Sequence, residues 1–142
     1  MNKRYTLKIY PKGMGRDAYR VIEISDNRKL STLAEEILDA FDFDFDHLYE
    51  FIMSGEMYRS HDVYVAPGID GERSANIKLD KLGLEKGRKF LYHYDFGDDW
   101  LFVVSVQKVT EEDGPHETEV IKSKGDVYQY GFEEEEDDEY WD

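Results

Sequence analysis

The sequence predicts an α+β fold: one domain in which a mixed, mainly antiparallel sheet of about six strands carries one main helix on its face. Three observations predict it. Period-two alternation of apolar and polar residues recurs in several short segments, as half-buried strands require. Only one stretch, residues 32–42, spaces its apolar side chains like a helix. The length of 142 residues, with 40% hydrophobic and 15% aromatic residues, fits a single core and argues against two full domains or wholesale disorder.

In chain order, Arg4–Tyr10 places Tyr5, Leu7 and Ile9 on one side and Arg4, Thr6 and Lys8 on the other, a strand. Pro11, Gly13 and Gly15 break it, and Ala18–Ile24 resumes an extended pattern, so a hairpin with a basic tip (Lys12, Arg16) is expected. Leu33, Ile37 and Phe41 fall at steps of four, and Thr32 with Glu35 has the spacing of a capping box, giving the helix over 32–42. Leu48–Met53 reads as a strand, Ser54-Gly55 as a turn and Met57-Tyr58 as a return strand. Within 60–76, Val63–Val65 suits a short strand, whereas Pro67, Gly68 and Gly71 mark a surface insertion. Lys81–Gly87 resembles a short helical turn closed by glycine. The strongest hairpin follows, with Phe90, Tyr92, Tyr94 and Phe96 on one face of a strand, a turn at Gly97-Asp98-Asp99, and Trp100, Phe102, Val104 and Val106 sharing a face of the return strand. That aromatic face is expected to be the densest part of the core. Beyond Val109 a loop is expected, then a last strand over Glu119–Lys122. The domain therefore spans 1–132.

Charge divides the chain. Residues 1–29 hold eight basic and three acidic side chains, whereas 133–142 hold eight acids and no base; the net charge is −15. An acidic chain repels phosphate backbones, so nucleic acid is not an expected partner. The segment EEEEDDEYWD reads as a flexible, solubilising tail in which Tyr140 and Trp141 are available as an anchor. No run of about 18 apolar residues exists and the N-terminus alternates, so neither a membrane span nor a signal core is expected and the cytoplasm is the default. With no cysteine, disulfides, thiolate zinc sites and cysteine nucleophiles are excluded.

Most catalytic signatures are missing too: there is no G-x-S-x-G elbow, phosphate loop, GxGxxG or HExxH. Asp95-Phe-Gly97 copies the kinase metal-binding tripeptide without the accompanying catalytic loop. Asp42, Asp44 and Asp46 have calcium-loop spacing, but His47 and Met53 stand where glycine and the bidentate glutamate belong. His47, His61 and His116 lack ligand-like spacing. Asp95, Asp98 and Asp99, with His93 on the same strand face as Asp95, are the one group able to converge on a divalent ion. The competing reading is that aspartates favour tight turns because their carboxylates bond nearby N–H groups, with Gly97 supplying a positive φ.

The run Lys89–Trp100, containing Y-x-Y-D-F-G-D-x-W, together with Lys81–Gly87, Tyr5–Lys8, Thr32-Leu33, Phe41 and His47–Phe51, resembles the plasmid pRiA4b ORF-3-like family, also described as transposon passenger proteins. The likeness covers about residues 5–106. Departures are Tyr19-Arg20 in place of tryptophan-arginine, Phe43 in place of tryptophan, Phe102 in place of a frequent histidine, and an acidic tail in place of a cysteine- and proline-rich segment. The resemblance implies an α+β fold and a mobile-element context; it implies no reaction.

The expected function is therefore a non-enzymatic interaction module that binds protein, without a cofactor. Its candidate binding residues are Tyr94, Asp95, Phe96, Gly97, Asp98, Asp99 and Trp100, with His93 and His47 beside them. The alternatives are a divalent-metal-dependent hydrolase or nuclease using Asp95, Asp98 and Asp99, and an acidic mimic of nucleic acid.

Overall fold

The structure is a computed structural model that describes residues 2–54, 62–69 and 73–130. Seven strands, rather than about six, build one sheet: β1 (Asn2–Pro11), β2 (Tyr19–Ser25), β3 (Tyr49–Ile52), β4 (Val63–Val65), β5 (Lys89–Tyr94), β6 (Trp100–Glu112) and β7 (Glu119–Lys124). They lie in the order β4-β3-β5-β6-β1-β2-β7, and every adjacent pair is antiparallel. Met57-Tyr58, His61 and the acidic tail lie outside the described residues. No helix among the described residues is long and apolar enough to cross a membrane.

Alternation in β1 works as its sequence dictates. Tyr5, Leu7 and Ile9 are buried, and their partners Ile24, Ile22 and, through β6, Val104 and Val106 line the same face. Phe51 of β3 and Phe90, Tyr92 and Phe102 of the aromatic hairpin complete a stacked row, with the Phe51 and Tyr92 rings 4.7 Å apart. Each such side chain removed from water contributes about 1.5–3 kcal/mol. The helix, α1 (Leu30–Ala40), lays Leu30, Leu33, Ala34, Ile37 and Leu38 over this face. The opposite sheet face carries Lys8, Tyr10, Tyr19, Lys89, Leu91 and His93.

Several boundaries differ from the sequence reading, each for a physical reason. The helix starts two residues early and Thr32 is not its cap, because the N–H groups of Leu30 and Ser31 donate to the carbonyls of Ile77 and Ala75 at 2.8 and 2.9 Å. A neighbouring loop thus supplies acceptors that a capping side chain otherwise provides. It stops at Ala40, since Asp42 takes a left-handed φ of 61°. The helical turn expected over 81–87 is a 3₁₀ turn at Leu79–Lys81, after which Gly83 and Gly87 adopt positive φ. The loop expected after Val109 is strand as far as Glu112, because Asn2–Arg4 of β1 pair with Thr110–Glu112. Strand β5 ends at Tyr94, so Phe96 does not join the aromatic face; it is 46% exposed.

Arg20 fastens the edges of the sheet to the helix. Its buried guanidinium donates to the carbonyls of Ala40 (2.8 Å), Lys124 (3.0 Å) and Gly125 (2.9 Å), and to that of its neighbour Tyr19, while lying 4.5 Å from the Phe41 ring centroid. A cation at the C-terminus of α1 also meets the negative end of the helix dipole.

Candidate functional site

The candidate residues meet at one end of the sheet, where β5 turns into β6. Tyr94 and Trp100 are the last paired residues, and Asp95–Asp99 form the connection. The left-handed residues of this turn are Asp95 (φ 62°) and Asp99 (φ 53°), which corrects the role expected of Gly97: its φ lies outside that region. Aspartate tolerates this conformation when its side chain bonds the local backbone. The Asp95 carboxylate accepts the N–H groups of Gly97 at 3.1 Å and Asp98 at 3.3 Å, and the Asp99 N–H returns to the Asp95 carbonyl at 2.6 Å.

The segment after α1 clamps this turn. The Tyr94 hydroxyl donates to the Asp44 carbonyl and accepts the N–H groups of Asp46 (2.9 Å) and His47 (3.2 Å), while the Asp95 N–H donates to the Leu48 carbonyl at 3.0 Å. Burial pushes the Tyr94 phenol above its ordinary pKa, a shift the two donated N–H groups oppose. Gln129 then fastens the chain's later residues to the same place. Its amide oxygen accepts the Asp44 N–H at 2.7 Å, and its carbonyl accepts the Trp100 indole N–H at 3.2 Å. Trp100 is half-buried beside Phe43, 4.9 Å between ring centroids.

The two histidines occupy different sides. His47 lies on the clamp, with Nε2 3.4 Å from Asp95 and 3.2 Å from Asp46. His93 lies on the helix-free face, where Nδ1 and Nε2 each stand 2.7 Å from a carboxylate, those of Glu50 and Asp99. His93 therefore partners Asp99, not Asp95 as its expected strand face implied: Asp95 follows the last residue of β5, and its left-handed backbone breaks the alternation. The carboxylates of Asp95 and Asp99 thus each serve a neighbour within the fold. Among the described residues, no three of His, Asp and Glu are grouped to hold one metal ion.

Around this bonded turn, apolar side chains remain in water. Phe45, Leu48, Phe96 and Tyr130 are all at least 46% exposed. Phe96 leans on the His93 ring (4.9 Å), and Phe45 lies 5.9 Å from the Tyr49 ring, beside an open groove of about 490 Å³ between Glu35, Leu48 and Pro67. The rim is acidic. Desolvation, then the carboxylates of Asp46, Asp44, Asp95 and Asp98, raise the Tyr130 phenol above its usual value. Phe45, Leu48, Glu50, Gln129 and Tyr130 were not singled out from the sequence. Phe45 and Leu48 interrupt an acidic run, which is a weak signal; Leu48 and Glu50 fall within the family-like stretch His47–Phe51 without a site role being marked, and nothing local marks Gln129.

A family model described as plasmid pRiA4b ORF-3-like protein matches residues 3–130. No curated protein matches the chain. Among solved structures, the fold is similar to a protein of unknown function, MM3350, from Methanosarcina mazei Go1: 28% identity, TM-score 0.74, covering 89% of this chain and 73% of that one.

Proposed function

Because the chain belongs to the plasmid pRiA4b ORF-3-like family, whose likeness brings no reaction with it, we propose from the site itself that the protein is a non-enzymatic binding module. It presents the Asp95–Trp100 turn and its apolar rim to a protein partner. One observation carries the reading. Phe45, Leu48 and Phe96 are held in water around a turn whose Asp95 and Asp99 carboxylates are already bonded internally. Large apolar side chains grouped on a surface mark interaction sites, and aromatic residues on a rigid support make effective anchors because little freedom is lost on binding. The surrounding Asp44, Asp46 and Asp98 and the net charge of −15 favour a partner segment that mixes lysine or arginine with apolar side chains.

The test is selection of a displayed random-peptide library on the full chain, repeated on the F45S/F96S double variant, with melting curves to confirm that the variant is folded. Both side chains are exposed, so folding is expected to survive. Enrichment of basic, aromatic-containing peptides by the wild type and its loss in the variant support the reading. No enrichment, or the same peptides from both proteins, overturns it.

A further inference from the structure

We propose that a basic groove on the helix-free face of the sheet is the docking site of the chain's own acidic C-terminal segment, residues 133–142. The groove lies on the opposite side of the sheet from α1, because Lys8 and Tyr10 alternate with the buried Leu7 and Ile9. Lys8, Tyr10, Arg16, Asp17, Lys89 and Gln107 line an open depression of about 470 Å³. It adjoins a second one of about 300 Å³, where Lys12 and Lys89 flank an apolar floor of Tyr10, Leu91 and Val103. Among the described residues no carboxylate forms an ion pair with Lys8, Lys12, Arg16 or Lys89. The Lys8 ammonium instead lies 4.6 Å above the Tyr19 ring and 5.5 Å above that of Tyr10. Cations held against aromatic rings, with an apolar strip alongside, call for a ligand that is acidic and aromatic together.

The sequence EEEEDDEYWD, seven acids followed by Tyr140 and Trp141 and then Asp142, has that composition. Connectivity allows it to arrive. Lys12 donates its N–H to the Leu101 carbonyl and Pro11 pairs with Phe102, so the hairpin tip lies at the same sheet end as Trp100. The Trp100 indole holds the Gln129 carbonyl there. Lys8 is paired with Ser105, five residues from Trp100 along β6 or about 17 Å at strand rise. The twelve residues 131–142 span up to about 40 Å when extended, enough to round the sheet end and cross the groove. Docked in this way, the tail covers a basic groove of an acidic protein.

Zero-length carbodiimide coupling of the full chain at low concentration, mapped by mass spectrometry, tests it. Lys8, Lys12 and Lys89 should couple to carboxylates of 133–139 within one chain. Their yield should be about tenfold above that of the exposed Lys78 and Lys81, which flank Asp80, bonded to Asp26 at the other end of the sheet, and should fall by about as much at Lys12 in K8E/K89E. The emission of Trp141, taken as the difference between the full chain and its W141F variant so that the Trp100 bond stays intact, should be blue-shifted and return to that of an exposed indole at about 1 M salt, where screening is near complete. Equal yields at both lysine sets, coupling only between two chains, or a salt-insensitive exposed indole would each overturn the proposal.

Discussion

Replacing Arg20 with methionine keeps the aliphatic stem and deletes the fork that joins α1, β2 and the Lys124-Gly125 end of β7. Three carbonyls outside its own residue pair lose a charged donor, at 2.8 to 3.0 Å, and the Phe41 ring loses its cation at 4.5 Å. A hydrogen bond from a charged donor contributes about 1.5–3 kcal/mol in context, but carbonyls freed at element ends recover part of this from water. Allowing about 1 kcal/mol for each carbonyl and about 1 kcal/mol for the ring contact gives about 4 kcal/mol. For a chain of this size that lowers Tm by about 12–16 °C. Arg20→Lys retains the charge without the planar fork and should lose about half as much. Chemical denaturation with a fitted m-value and a thermal melt measure both. A loss below about 1 kcal/mol for Arg20→Met would refute the argument that this guanidinium, rather than apolar contact alone, fastens the helix to the sheet.

The glycines at two turns should behave oppositely. Gly97→Ala meets only Asp95 Oδ1 at 3.4 Å and should change stability by less than about 0.5 kcal/mol, whereas a Cβ on Gly125 falls 2.1 Å from the Asp17 carbonyl at φ 74°, so Gly125→Ala should lower Tm sharply. Tyr94→Phe strips the acceptor from the Asp46 and His47 N–H groups and should cost about 1–3 kcal/mol by denaturant titration; a neutral result would dissolve the clamp. Burial pushes the Tyr49 phenol up to about 12, so the folded state keeps a proton that the unfolded chain loses near 10. Stability should fall between about pH 10 and 12, and Tyr49→Phe should lessen that slope in a pH series of denaturation midpoints, with the buried Tyr5 and Tyr92, also pushed up, accounting for the rest.

Much of the fold could be read from local pattern because local pattern causes it. Tyr5, Leu7 and Ile9 face the core for the same reason that they alternate, and Phe90, Tyr92, Phe102 and Val104 do likewise across the hairpin. Where pattern failed, contacts distant in sequence decided. The helix start is set by acceptors at Ala75 and Ile77, which no reading of Thr32 and Glu35 could reveal. Phe96 continued an unbroken alternation, yet the left-handed Asp95 turned it outwards, and the glycine that a turn rule favours was left in ordinary backbone. The site divides similarly. Residues 93–100 announced themselves as a dense motif, while Gln129 joined them through bonds to Asp44 and Trp100 that have no sequence signature.

The Asp95 and Asp99 carboxylates are committed to the fold, and the apolar rim does the binding. Melting the wild type with and without millimolar magnesium, manganese or calcium, beside Asp98→Ala, addresses this most directly, since that substitution spares the Asp95 carboxylate's own bonds. An ion bound at a hundred times its Kd would add about 2.7 kcal/mol and raise Tm by several degrees. The predicted result is an unchanged midpoint in both proteins; a rise in the wild type that Asp98→Ala abolishes would contradict it.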